Sequence, residues 1–104
     1  MHVQVVTYRM DDISEPEFVE ANQEFAGMMA AAPGLLAKVW LKAPDQNLYG
    51  GLYIWRDRDA YESFLASELW AEVLGDDSML GTESHDFDVM EELTQTTQPG
   101  LKLI

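Results

Sequence analysis

The stretch from Pro33 to Asp57, PGLLAKVWLKAPDQNLYGGLYIWRD, constrains the fold more than any other part of the chain. Pro33-Gly34 stops whatever regular structure precedes it. Leu35 to Lys42 is rich in apolar, β-branched and aromatic residues and predicts a strand. Ala43 to Asn47 has loop chemistry, and Leu48 to Trp55 predicts a second strand with Gly50-Gly51 inside it. A hairpin this apolar belongs in the middle of a sheet, so the flanking segments must supply further strands and a cover. Its aromatic residues, Trp40, Tyr49, Tyr53 and Trp55, are the first candidates for lining a pocket.

The flanks supply both. His2 to Met10 predicts a strand with Val3, Val5 and Thr7 on one face and Gln4, Val6 and Tyr8 on the other. Ser14 is a helix N-cap with Glu17 as its capping-box partner and Ile13 and Phe18 placed as a hydrophobic staple. Phe18, Ala21, Asn22, Phe25, Met28, Met29 and Ala32 then recur at helical spacing. After the hairpin, Asp57 or Asp59 caps a second helix with an apolar stripe of Ala60, Tyr61, Phe64 and Leu65. Ser67 lets that helix kink or restart, and Leu69, Trp70, Val73 and Leu74 continue its surface up to a C-terminal cap at Gly75. Asp76 to Thr82 is an acidic loop. Glu83 to Glu91 alternates as a fourth strand, with His85, Phe87 and Val89 on one face and Asp86, Asp88 and Met90 on the other. Residues 92–104 are expected to be a tail, polar over Thr94 to Gln98, whose apolar end Leu101 to Ile104 docks on its own domain or on a second subunit.

The order β-α-β-β-α-β over a single domain, residues 1–104, predicts an α+β ferredoxin-like fold: a four-stranded antiparallel sheet with both helices on one face. Strands apolar on both sides leave the other face uncovered in a monomer. A second copy packed sheet to sheet would bury it, so a homodimer is expected.

Charge excludes some partners. Nineteen Asp and Glu against six Lys and Arg give a net charge of −13, which repels phosphate backbones and anionic lipid headgroups. Neither nucleic acid nor membrane is expected as a partner. The lack of cysteine removes disulfides, thiolate metal sites and cysteine nucleophiles. With no basic, apolar leader after Met1, a cytoplasmic location is expected.

Three features bear on chemistry. Tyr8, Trp40, Tyr49, Tyr53, Trp55 and Trp70 either pack a core or line a pocket for a flat apolar ligand, and either Gly51 opens room between aromatics or Gly50-Gly51 only marks a bulge or a close backbone approach. Asn22, between Phe18 and Phe25, either bonds to backbone or water or points into a pocket between helix and sheet. His85, beside Phe87 and Val89, is either a satisfied structural histidine or a general base. His2 is given no role, and Lys38 and Lys42, on the face of Trp40, either pair with acidic residues or hold an anionic ligand, or, the first reading, are snorkelling surface lysines. There is no GxGxxG, P-loop, HExxH or GxSxG and no spaced cluster of metal ligands, so an enzyme here is expected to use no dinucleotide or metal cofactor.

PGLLAKVWLK followed by GGLYIWRDRDAYESFLAS resembles the YdhR-type monooxygenases of the dimeric α+β barrel superfamily, relatives of the antibiotic-biosynthesis monooxygenases. The resemblance rests on Pro33-Gly34, Lys38-Val39-Trp40, Gly50-Gly51-Leu52-Tyr53 and Asp57, with the helix of Tyr61 and Leu65 following. It implies a homodimeric barrel with a pocket in each subunit. In relatives that pocket takes aromatic polyketides, quinols or haem, and oxygen reacts with substrate without flavin or metal. Trp55 falls where several relatives place a pocket tryptophan. Haem-degrading relatives use a histidine on the second helix, and this helix has none.

The expected function is therefore a cofactor-independent monooxygenase acting on a small phenolic or quinol-type molecule. His85, Trp55 and Asn22 are the expected catalytic residues, with Tyr8, Phe25, Met28, Trp40, Tyr53 and Phe64 holding the ligand. The alternatives are a non-catalytic binder of small aromatic molecules and an isomerase or cyclase on the same fold.

Overall fold

A computed structural model describes residues 1–98. Its strands are β1 (His2–Arg9), β2 (Leu35–Ala43), β3 (Leu48–Trp55) and β4 (Leu80–Asp88). Its helices are α1 (Glu15–Ala30), α2 (Arg58–Leu65), α3 (Glu68–Leu74) and α4 (Glu91–Thr97). The strands form one antiparallel sheet in the order β2-β3-β1-β4, the ferredoxin-like arrangement the sequence predicts, except that only β3 of the hairpin is central: β1 pairs on its other side and leaves β2 at the edge.

Local chemistry sets the boundaries. Ser14 Oγ accepts the Glu17 N–H while the Glu17 carboxylate accepts from the Ser14 N–H and hydroxyl, which holds that carboxyl below its usual range. Asp57 caps α2 by accepting the Ala60 N–H at 2.8 Å, and Ser67 restarts the chain as the N-cap of α3. Gly34 takes φ +79° between α1 and β2, where its hydrogen packs against the Ala60 methyl and a Cβ would lie 2.5 Å from it.

Two expectations at the C-terminal end are corrected. β4 begins at Leu80 rather than Glu83 and stops at Asp88, because Thr7 and Arg9 of β1 offer a pairing edge out to Leu80. The start of the expected tail is the short helix α4, anchored where the Met1 ammonium meets Glu91 at 2.7 Å. Residues 101–104, expected to dock, lie outside the described residues.

Register decides what each face carries. Val6 pairs with Gly51 and Gln4 with Tyr53, so Gln4, Val6, Tyr8, Tyr49, Gly51, Tyr53 and Trp55 share one face. Lys38 opposite Tyr53 and Trp40 opposite Gly51 add β2 to it. This face meets the helices, and the core forms there from Val6, Tyr53 and Trp55 with Phe18 and Met29 of α1, Phe64 of α2, and Trp70 and Val73 of α3. Two polar residues are sealed in beside it. Gln4 accepts from Trp55 Nε1 at 3.2 Å and donates to Ser84 at 3.1 Å. His2, which carries no role in the sequence reading, bridges Asp86 and Asp88 at 2.7 and 2.8 Å and lies against the Tyr61 ring. The opposite face carries Val3, Val5, Val39, Leu41 and Phe87, of which Val39 is 45% and Phe87 58% exposed.

Candidate active site

Between the helix-covered face and α1 and α3 runs a cleft of about 210 Å³. β1 gives it Val6 and Tyr8, β2 gives Lys38 and Trp40, and β3 gives Tyr53. α1 contributes Asn22 and Phe25 from successive turns, and Glu72, Asp76 and Met79 close the end near α3. A second cleft of about 290 Å³ lies outside, along the seam of α1 and β2. It shares Asn22 and Trp40 with the first, but its charged groups are Glu15 and Lys42, which pair with each other in solvent. The inner cleft is the better site because it surrounds groups whose ionisation is shifted by burial.

Tyr8 and Tyr53 are two of these. Burial, then the charge of Asp76 and the neighbouring Tyr49, raises the Tyr8 hydroxyl to about 12. Burial, then Tyr8, pushes Tyr53 higher still. Both phenols are therefore neutral hydrogen-bond donors at physiological pH. Asn22 Nδ2 donates to the Phe18 carbonyl at 2.9 Å, one helical turn back. This leaves the amide oxygen of Asn22 without a protein donor among the described residues.

Lys38 is the third. Its Nζ stands 3.6 Å from the centroid of Trp40, 4.6 Å from Tyr53 and 4.9 Å from Phe25. Burial lowers its ammonium from 10.5 to about 7. Gly51 makes this possible: a Cβ there would lie 3.0 Å from Lys38 Cε and 3.1 Å from the Tyr53 ring. The space that Gly51 opens is filled by the lysine stem rather than left vacant. The adjacent Gly50 is required for the other reason weighed from the sequence, because a Cβ there would fall 2.1 Å from the Val6 carbonyl oxygen.

The structure thus brings Asn22, Tyr8, Phe25, Trp40 and Tyr53 to one cleft. It places four expected residues elsewhere. Trp55 has no exposed surface and lies behind Tyr53, stacked on it with centroids 6.2 Å apart. Phe64 is packed against Trp55, Tyr53 and Trp70 in the core. Met28 points outward at 39% exposure, while the next residue, Met29, turns under the helix. His85 pairs with Val5, which puts it on the face turned away from the helices, with a side chain 66% exposed and Glu83 its nearest carboxylate at 3.9 Å. It cannot reach the cleft through the sheet. Lys38, read first as a snorkelling surface lysine, lies in the cleft instead. Strand alternation puts it on the face of Trp40, and its pairing with Tyr53 turns that face to the helices.

Among the described residues no group of three or more His, Asp or Glu is placed to hold a metal ion, and no helix is long and apolar enough to cross a membrane.

The family model described as "Putative mono-oxygenase ydhR" matches residues 3–99. Curated proteins give no match to the sequence. Among solved structures, SnoaB, a cofactor-independent oxygenase from Streptomyces nogalater, is 22% identical with a TM-score of 0.64, covering 85% of this chain and 92% of its own. The heme-degrader MhuD of Mycobacterium tuberculosis, with two hemes bound in its active site, is 17% identical with a TM-score of 0.67, covering 86% and 96%. An antibiotic biosynthesis monooxygenase is 14% identical with a TM-score of 0.68, covering 86% and 98%. At these identities the likeness is one of fold.

Proposed function

Because this chain belongs to the YdhR mono-oxygenase family, we propose that its inner cleft oxidises a small phenolic or quinol-type molecule with dioxygen and without a bound cofactor. The observation that carries the reading is the cleft itself, in which aromatic walls, two neutral phenols and one free amide oxygen converge. Such a lining encloses a flat ring and orients its hydroxyl. The volume of about 210 Å³ suits a single substituted ring; benzene is held by a cavity of about 150 Å³. A haem is far larger, and α2 and α3 carry no histidine, which favours the phenolic reading over haem degradation.

In this reading Trp40 and Phe25, whose rings stand nearly perpendicular, bound the ring by face and edge, Tyr8 and Tyr53 donate to its oxygen, and Asn22 accepts from a second hydroxyl. Trp55 and Phe64 act from behind by fixing the Tyr53 ring. A phenol whose para carbon bears hydrogen can supply all the electrons. One oxygen atom bonds to that carbon, the hydroxyl proton and the displaced hydrogen leave with the other oxygen as water, and a quinone remains. The chain's part is positioning and exclusion of water from the reacting pair.

The proposed working form is a homodimer. The face of Val3, Val5, Val39, Leu41 and Leu52 is apolar in a chain of net charge −13. Two such acidic molecules approach each other most easily where the charge is missing.

The test is oxygen consumption with single-ring phenols that carry hydrogen at the para carbon, in the presence of EDTA and with no flavin added. Uptake above the autoxidation rate, reduced by Tyr53→Phe and Asn22→Ala, is expected. A rate indistinguishable from the protein-free control across the series would refute oxygenase activity on this class.

A further inference from the structure

We propose that Lys38 is the proton acceptor and counter-ion of the cleft, so that its ligand is an acidic phenol or enol bound as the anion. This deepens the phenol-oxidation reading above and rests on it for the identity of the cleft, but not for any reaction with oxygen.

Three features of the geometry support it. The Lys38 amine stands among three rings, with no ion pair and no hydrogen bond among the described residues, so it is held in place but not electrically satisfied. Its stem lies in the gap that Gly51 leaves, which directs Nζ into the cleft instead of along the surface where a strand lysine usually runs. The remaining titratable groups around the cleft are Tyr8 on β1, Tyr53 on β3, Glu72 on α3 and Asp76 beyond it; α1 offers only Ala21, Asn22 and Phe25 there. Glu72 and Asp76 line the cleft, but neither comes within ion-pair distance of Nζ.

The chemistry follows from these neighbours. With burial setting the amine near neutrality, its unprotonated form is populated at physiological pH. When a phenol enters, the substrate O–H bond breaks and an N–H bond forms on Lys38. The ammonium and the phenolate then lie side by side. The rings of Trp40, Tyr53 and Phe25 stabilise the new cation, and the hydroxyls of Tyr8 and Tyr53, kept protonated by burial, donate to the new anion. No electron moves in this step. A carboxylic acid would arrive already ionised and would need only the ammonium, so the device is matched to groups that ionise near or above neutrality.

The experiment uses 4-nitrophenol, whose anion absorbs in the visible, and its ether 4-nitroanisole, which has no proton to give. At about pH 7, where the amine is partly unprotonated, the bound phenol is expected to show a ratio of anion to neutral form about tenfold that of the free phenol, equivalent to about one unit of pKa. The wild-type chain is expected to prefer the phenol to the ether by about tenfold, and Lys38→Met to bind the two alike. A variant-free measurement accompanies it. In the chain labelled with lysine carrying ¹³C at Cε, the Lys38 midpoint should rise when 4-nitrophenol is added. Binding of 4-nitrophenol in its neutral form, an unmoved Lys38 midpoint, or no binding by the folded protein each overturns the proposal. Anionic binding without oxygen consumption would leave it standing and remove the oxygenase reading instead.

Discussion

Replacing Lys38 by Met should make the protein more stable near neutral pH, against the usual direction of a substitution in a packed site. The Lys38 ammonium falls from 10.5 to about 7 because burial penalises the charge. At about 1.4 kcal/mol per unit, a shift of about 3.5 units corresponds to roughly 5 kcal/mol against the protonated form. The contacts of Nζ with Trp40, Tyr53 and Phe25 return on the order of 2 kcal/mol. Methionine has nearly the same length and no charge, and its packing cost is typically below about 1.5 kcal/mol. The expected gain is therefore about 2 kcal/mol. Below about pH 7 both the folded and unfolded chains hold the proton, and the burial penalty is complete. Between about 7 and 10.5 the folded chain has released a proton that the unfolded chain still binds, so wild-type stability rises with pH and the gap to the variant closes. Urea unfolding followed by circular dichroism, at one protein concentration and from about pH 6 to pH 10, measures this directly. A variant less stable than wild type at about pH 6, or a gap that does not change with pH, would refute the reasoning.

Other substitutions test the frame around the cleft. Trp55→Phe removes the donor to the sealed Gln4 oxygen as well as part of a buried ring, and should cost about 3–5 kcal/mol. Adding Gln4→Met removes the orphaned acceptor, so a double-mutant cycle by urea unfolding should show at least about 1 kcal/mol of coupling; additive losses would deny the hydrogen bond. Gly50→Ala should lose roughly 3 kcal/mol by thermal unfolding, because its Cβ meets the Val6 carbonyl, whereas Gly51→Ala meets the flexible Lys38 stem and should lose far less. Val39→Glu puts a carboxylate in the apolar face opposite the helices and should convert the proposed dimer to monomer in sedimentation experiments, with the monomer's sheet content unchanged.

The fold was legible because its cues are local. Ser14 with Glu17, Asp57, Ser67 and the Pro33-Gly34 break each act within a few residues, and each sits in the structure where the sequence puts it. The cleft was legible in part. Asn22, Tyr8, Phe25, Trp40 and Tyr53 were all named as candidates before the register was known. What failed was what depends on pairing across the sheet. His85 and Lys38 each sit in a strand whose own pattern does not say which of its faces meets the helices. The pairing of His85 with Val5 sends one outward, and that of Lys38 with Tyr53 brings the other in. Met28 and Met29 differ in the same way: both lie within a helical stripe, and about a quarter turn decides which is buried. His2 was overlooked because its partners, Asp86 and Asp88, are at the far end of the chain.

The order β2-β3-β1-β4 also has a consequence for handling the protein. It leaves β2 and β4 as the two rims of the sheet in each chain, each with a row of backbone groups that could recruit a foreign strand. Glu83, Asp86 and Asp88 along β4 guard one rim with negative charge, whereas on β2 Lys38 turns into the cleft and Lys42 pairs with Glu15, so that rim carries little free charge. A rim with so little free charge is an invitation to growth end to end. What opposes it is the surplus of carboxylates over the whole molecule. That surplus vanishes near the isoelectric point of about 4.1. Mild acid, which leaves many acidic proteins merely less soluble, should here favour ordered strand-to-strand polymers over amorphous precipitate.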